Sequence, residues 1–274
     1  ANVELIHEKP PTRLYRLQCN GRSVVIKWFA DARESIEIRG YALLQRLGVP
    51  TLPVYGQSDN AIVIEDLATS TTWRLATADD CECPDVGRAA ARWYRRLHEP
   101  GRNLLAAPRG APEFLRRESD PLTPQVILAM GESLGVGGDV WQLAAEHVEL
   151  LKQAERRRPT SLNYNDFHWS NLALSREVPL RAVVFDYHLL GIGMAYSDCR
   201  NVLSCLRPSA ADAFKEAYGP IDQREASLDA PVSILVALKA ALDEHHLPRW
   251  AQGLIQMVAS GELEHALQRA LEII

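Results

Sequence analysis

Asp166 and Asn171 stand five positions apart in Tyr164-Asn165-Asp166-Phe167-His168-Trp169-Ser170-Asn171. A carboxylate can accept a proton, and carboxylate and amide oxygens are the ligands a hard cation takes. The D-x4-N spacing alone is weak: with 15 Asp and 8 Asn in the chain, about 0.4 such pairs arise by chance. Asp186 ends the apolar run Val183-Val184-Phe185, where an acid also serves as a turn cap. Lys27 ends the apolar run Val24-Val25-Ile26, where a lysine is also a snorkelling surface residue. Glu37 shares a helical face with Tyr41 and Leu44, and a carboxylate on an inward face needs a partner. Lys27 is the nearest upstream candidate, with Glu34 as a competitor on almost the same face.

These residues need elements to position them. Val24–Phe29 reads as a strand opened by the turn Asn20-Gly21, with Leu14–Gln18 as its hairpin partner. A helix follows from about Arg33 to Leu47, stopped by Gly48 with Pro50 beyond. Ala61–Ile64 is a short buried strand leading into Glu65 and Asp66. Beyond residue 66 the periodicity turns helical. Val86, Ala90, Trp93 and Leu97 share a face in a helix that Pro100-Gly101 stops. Residues 100–140 read as helix fragments and loops, and Val140–Arg158 as a helix. Ser161–Tyr164 and Arg181–Phe185 are strand-like, and from Asp198 helices follow one another, separated by Pro208, Gly219-Pro220, Pro231, Pro248 and Gly261.

The order matters more than any single signal: strand-Lys, helix-Glu, strand with a polar connector, D-x4-N, strand-Asp. In this order the chain resembles the aminoglycoside phosphotransferase and choline kinase group of small-molecule kinases. Glu37 through Leu47-Gly48-Val49-Pro50 is similar to that group's helix ending in a GVP turn, and Trp93–His98 to its "LArLH" helix end. Tyr164–Asn171 stands where the group has HGDxxxxN, Val184-Phe185-Asp186 resembles its metal-binding strand, and Gly191–Asp198 its "GPxxxDL" stretch. The likeness covers roughly residues 10–200.

The resemblance implies an α+β, bilobal protein-kinase-like fold. A small β-rich nucleotide-binding lobe would span residues 1–66, and a larger, mainly helical catalytic and substrate-binding lobe residues 67–274. It implies transfer of the γ-phosphate of ATP or GTP, with Mg²⁺, to a hydroxyl of a small polar, cationic acceptor, aminoglycoside-like first, with choline, sugar and amino-acid types as alternatives. Phosphoryl transfer asks the enzyme chiefly for positioning and charge placement. By resemblance Lys27 would hold the phosphates, Glu37 would hold Lys27, and Asn171 and Asp186 would ligate Mg²⁺. Asp166 would accept or orient the hydroxyl proton. Adenine would meet Glu65 through its carbonyl and Leu67 through its N–H, Thr12 would contribute to the phosphate loop, and His168 could reach the transferred phosphate.

Two departures stand out besides His168. Tyr164-Asn165 replaces His-Gly before the aspartate. The phosphate loop, Glu8–Arg13, has no glycine and two prolines, which removes two N–H groups from a cradle built of them. An intact site without turnover, a pseudokinase or nucleotide-binding regulatory module, is therefore the alternative reading. A protein kinase is disfavoured, because no lysine follows two residues after Asp166 and no APE-like stretch follows Asp186.

Composition frames the partners. The net charge of −5 argues against a nucleic-acid or anionic-membrane surface. Residues 208–274 hold five bases and ten acids, while the rest of the chain is balanced; the excess is either a solvated helical face or an acidic rim for a cationic acceptor. Five cysteines without CxxC spacing suit reduced thiols and a cytoplasmic location, with Cys81-Glu82-Cys83 read as a surface loop. No apolar signal region opens the chain and no run is long enough to span a bilayer. Arg156–Arg158 reads as a solvated helix end, His245-His246 lacks metal spacing, and Trp250, Leu254, Met257 and Val258 read as core. Acceptor identity and oligomeric state are left open.

Overall fold

The computed structural model describes residues 2–19, 21–31, 35–108 and 110–274. Asn20 of the expected turn, the helix start at Arg33 and the competitor Glu34 lie outside them. The described chain runs β1 (Asn2–Lys9), β2 (Thr12–Cys19), β3 (Arg22–Phe29), α1 (Ile36–Arg46), β4 (Val54–Gln57), β5 (Ala61–Glu65), β6 (Trp73–Leu75) and α2 (Pro84–Ala106). It continues through α3 (Pro124–Leu134), α4 (Val140–Arg156), β7 (Thr160–Asn163), β8 (Leu172–Ser175), β9 (Ala182–Val184) and β10 (Gly191–Met194). The final helices are α5 (Ala195–Cys205), α6 (Pro208–Tyr218), α7 (Gln223–Asp243), α8 (Ala251–Ala259) and α9 (Glu262–Glu272). No described helix is long and apolar enough to cross a membrane.

Two compact units form. The first comprises Ala1–Phe114, Leu162–Leu190 and Asp198–Pro220. Its sheet has the order β1-β2-β3-β5-β4. The β-branched run of β3 takes the centre, with Lys27 opposite Leu14 of β2 and Ile62 of β5, since a strand paired on both sides suits such residues. In α1, Ile38, Tyr41, Leu43 and Leu44 are buried. The helix ends at Leu47, where Gly48 adopts φ 71° and its N–H bonds to the Gln45 carbonyl, a left-handed stop that glycine takes without Cβ strain.

β1, the edge strand of this sheet, was not read from the sequence: its alternation Val3-Glu4-Leu5 breaks at Ile6, and all eight of its residues are exposed. The stretch read as a phosphate loop is a hairpin turn in which Lys9 pairs with Thr12 around Pro10-Pro11. α2 runs through Pro100 rather than stopping there. Gly101 is a packing residue instead, because a Cβ at this position would lie 2.6 Å from the Leu162 nitrogen. This unit also holds a three-stranded sheet, β6-β8-β9. Cys81 does not sit in a surface loop; it is buried in a 3₁₀ turn, Ala78–Glu82.

The second unit comprises Leu115–Ser161, Gly191–Ser197 and Ile221–Ile274. Ile127, Met130, Trp141, Val148, Leu235, Leu238, Leu263 and Leu267 form its helical core. Pro231 lies inside α7 and does not separate two helices. Of the four C-terminal positions expected in the core, Val258 is buried, Leu254 and Met257 pack partly against it, and Trp250 is 56% exposed. Trp250 precedes the first turn of α8, where the helical spacing that placed it inward does not yet apply.

Candidate active site

The β8–β9 hairpin sets the first part of the site. Leu172 pairs with Val184, and the Phe185 N–H bonds to the Asn171 carbonyl at 3.0 Å. That register fixes Asn171 at the entry of one strand beside Asp186 at the exit of the other. Asp166 joins them: Asn171 Nδ2 donates to Asp166 Oδ2 at 2.9 Å. The D-x4-N spacing is thus closed by its own hydrogen bond across the 3₁₀ turn Trp169–Asn171.

The backbone around these residues is unusual in two places. Asn165 and Asp186 have φ of 67° and 69°, and they are the two non-glycine residues with positive φ among those described. Asn and Asp tolerate this region better than other Cβ-bearing residues. Asn165 therefore fills a left-handed position that the resembling motif gives to glycine, and its side chain donates to the Leu189 carbonyl at 3.2 Å. Tyr164 is fully buried and its hydroxyl donates to the Phe185 carbonyl at 2.5 Å, tying the loop to the strand that ends in Asp186.

Asp198 holds the same loop from below. Its Oδ2 accepts the Tyr164 N–H and its Oδ1 the Asn165 N–H, each at 2.9 Å. His98 Nε2 lies 3.0 Å from Oδ2, and His98 Nδ1 meets the Tyr218 hydroxyl at 2.8 Å. Asp198 and His98 are both buried, so this carboxylate depends on these three partners in place of water.

Lys27 enters from β3. Its Nζ lies 2.5 Å from Glu37 Oε2 and 2.8 Å from Asp186 Oδ1. α1 brings Glu37 close because Gly40 lets the helix settle on Tyr187: a Cβ at Gly40 would lie 3.1 Å from the Tyr187 Cβ. Tyr41 adds an edge-on ring contact to Tyr187 at 4.6 Å. The helix-Glu and the strand-Lys thus pair as the spacing suggested, and Lys27 is no surface lysine, being 8% exposed.

Burial dominates the electrostatics and local charges decide each sign. Burial works against the Lys27 charge, but Glu37 and then Asp186 outweigh it and raise its pKa. Glu37 is raised to about 7, chiefly by burial, with Lys27 opposing. Burial pushes Asp186 up, but the hydrogen bond from His188 and the charge of Lys27 prevail and hold it well below the carboxylate range. Burial raises Asp166; Asp186 adds to this, and His188, His168 and Asn171 only partly offset it. Asp186 is thus held as an anion, whereas Asp166 is shifted toward accepting a proton.

Thr12 opens β2 opposite Phe29. Glu65 closes β5 and accepts from the Tyr55 hydroxyl. Leu67 follows Asp66, whose carboxylate is fixed by Arg16, Ser23 and the Ala68 N–H. Among the described residues no hydrogen bond or ion pair joins Thr12, Glu65 or Leu67 to the five-residue group. His168 Nδ1 is engaged with the Ser170 hydroxyl at 2.7 Å and accepts the Ser170 N–H, capping the 3₁₀ turn.

His188 was missed by the sequence reading. Its Nδ1 lies 2.9 Å from Asp186 Oδ1; burial is the largest single effect and lowers its pKa, but the Asp186 hydrogen bond and charge, with the charge of Asp166, together raise it. An Asp-x-His spacing was the available signal. Asp198 and His98 were noted only as parts of resembling stretches, since their meeting joins helices 100 residues apart.

The fold is of the protein-kinase-like kind, with a β-sheet N-terminal region and a helical C-terminal region. The chain belongs to the phosphotransferase enzyme family, whose model matches residues 13–229, and it is a small-molecule kinase acting on a hydroxyl group. No curated protein matches it in sequence. In structure it is similar to the choline kinase LicA from Streptococcus pneumoniae, at 12% identity and a TM-score of 0.65 over 95% of this chain and 92% of that one. A choline/ethanolamine kinase family protein from Mesorhizobium loti is similar at 13% identity and 0.64 over 98% and 92%. A spectinomycin phosphotransferase in complex with ADP and spectinomycin is similar at 11% identity and 0.59 over 99% and 92%.

Proposed function

We propose that this chain transfers the γ-phosphate of ATP or GTP to a hydroxyl of a small, polar, cationic acceptor of the choline or aminoglycoside kind. The observation that carries the reading is the position of Lys27 between Glu37 and Asp186, with Asp166 and Asn171 bonded beside them. Lys27 meets the nucleotide's phosphates, held in place by Glu37. Asp166, with its raised pKa, takes or orients the acceptor's hydroxyl proton. Glu65 and Leu67 contact the base, and Thr12 the phosphates.

Mg²⁺ fits the donor set. Asp186 and Asn171 offer a carboxylate and an amide oxygen, and no cluster of three or more His, Cys, Asp or Glu suited to a metal occurs among the described residues. Nucleotide phosphates and water would complete the shell, as is usual for this cation. Its contribution when bound is to neutralise charge spread over the transferring phosphoryl group.

A cationic acceptor is supported by the ten acids of residues 208–274 and by the choline kinases among the structural neighbours. Two of those acids serve packing: Glu225 accepts the Tyr196 N–H and Asp229 the Ser197 hydroxyl. The second reading, nucleotide binding without turnover, is favoured by one observation, the glycine-free two-residue turn at Pro10-Pro11.

Transfer from labelled ATP and GTP, with Mg²⁺, to a panel of amino alcohols, aminoglycosides, sugars and nucleosides separates the two. The kinase reading expects one acceptor class to be labelled. Tight Mg-nucleotide binding with neither transfer nor Asp166-dependent hydrolysis would establish the second reading.

A further inference from the structure

The first unit has a second concavity built from other residues. It has a volume of about 390 Å³ and is walled by Arg92, Arg95, Arg96 and Arg181, with Trp73 and Trp93 against it. Pockets of this size hold small molecules.

Arginines on a helix are ordinarily a solvated face, and three observations argue for more here. First, Arg92 lies three and four residues before Arg95 and Arg96 on α2, the spacings at which like charges meet and repel. Second, the compensation is thin. Among the described residues no carboxylate forms an ion pair with Arg92, Arg95 or Arg96, although Glu99 shares the wall; Arg92 donates to the Leu180 carbonyl, and Arg181 pairs with Glu177. Third, the aromatic groups are fixed in place. Trp93 Nε1 donates to the Pro50 carbonyl at 2.8 Å, and the Arg181 guanidinium lies over the Trp73 ring at 5.4 Å. The narrow exposed edges of two fixed rings, Trp73 at 8% and Trp93 at 2%, thus adjoin the guanidiniums of Arg92, Arg95 and Arg96, whose planar forks match phosphate oxygens.

We propose that this cavity binds a small organic phosphate. Its anionic group is held by Arg95 and Arg96 with Arg92 at the side, and its apolar part lies against Trp73 and Trp93. The site uses none of Lys27, Asp166, Asn171 or Asp186, and it stands whether or not the chain transfers phosphate.

Titration with phenyl phosphate, followed through the indole N–H signals of ¹⁵N-tryptophan-labelled protein, tests this, with Trp73→Phe assigning one signal. A saturable shift of the Trp73 and Trp93 signals is expected, in wild type and in Lys27→Ala alike, and none with phenol. Arg95→Gln/Arg96→Gln should weaken binding about ten-fold or more with an unchanged unfolding midpoint. Should that double variant fold poorly, Arg95→Gln alone should still weaken binding. Equal affinity in the arginine variants, loss of the shifts in Lys27→Ala, or no saturable shift at roughly millimolar ligand would overturn the proposal.

Discussion

Lys27 Nζ bonds Asp186 Oδ1 at 2.8 Å across 159 residues of sequence. One residue ends the apolar run of the central strand of the five-stranded sheet, and the other follows the last strand of a separate three-stranded sheet. Their pairing, with Glu37 on the far side of the lysine, is the structural basis of the account.

The proposed proton step rests on Asp166. Asp166→Ala should lower transfer by about 10²-fold or more while nucleotide affinity and the unfolding midpoint stay near wild type. Steady-state rates beside a nucleotide-binding isotherm would show it; turnover at the wild-type rate would remove Asp166 from the mechanism.

Asp186 and Asn171 are the expected cation ligands. In Asp186→Ala, nucleotide affinity should no longer respond to Mg²⁺, because the anionic oxygen is gone and Lys27 is left with Glu37. Calorimetric titrations with and without Mg²⁺ measure the difference directly.

Much of this site was legible in the sequence, and the reason is local. Lys27 ends an apolar strand, Glu37 shares a face with buried Tyr41 and Leu44, and Asp166 and Asn171 close within one turn. What was not legible depends on partners remote in sequence or on backbone conformation. Asp198 and His98 meet only once α2 and α5 pack. A single residue type does not announce the φ of 67° at Asn165. In the fold, β3, β5 and α4 followed from their patterns, whereas β1 alternates for only a few residues before Ile6 breaks the pattern, and α2 passed through a Pro-Gly pair because Gly101 serves its packing.

Asn165 offers a test of that backbone. Asn165→Ala places an ordinary Cβ at positive φ and loses the bond to Leu189, so it should cost about 1–2 kcal/mol. Asn165→Gly should cost much less and retain activity. Chemical denaturation of the pair checks the order; equal stabilities would contradict the conformational explanation.

Asp198→Ala would leave two loop N–H groups and His98 buried without their acceptor, at a cost of about 3 kcal/mol or more. Transfer should fall with it, since the loop bearing Asp166 loses its anchor. Asp198→Asn keeps one acceptor oxygen and should fall between.

Glu37 sets a pH dependence. Its pKa rises from the ordinary 4.5 to about 7 on folding, so the folded chain holds this proton more tightly than the unfolded one. The contribution to stability is full below pH 4.5 and is lost as pH rises through about 7. Asp186, held low, acts oppositely: its contribution is present above the ordinary 3.8 and lost in acid. Between about pH 5 and about pH 8, Glu37→Gln should therefore flatten the decline in stability expected of wild type, as read from urea midpoints.

The most direct test of the central claim is phosphorus NMR of the nucleotide with the purified chain, Mg²⁺ and the acceptor panel, beside Lys27→Ala and Asp166→Ala. The account predicts a new phosphate-ester signal with one acceptor class in wild type and none in either variant. The same signal at the same rate in both variants would place the chemistry elsewhere in the molecule and contradict the site described.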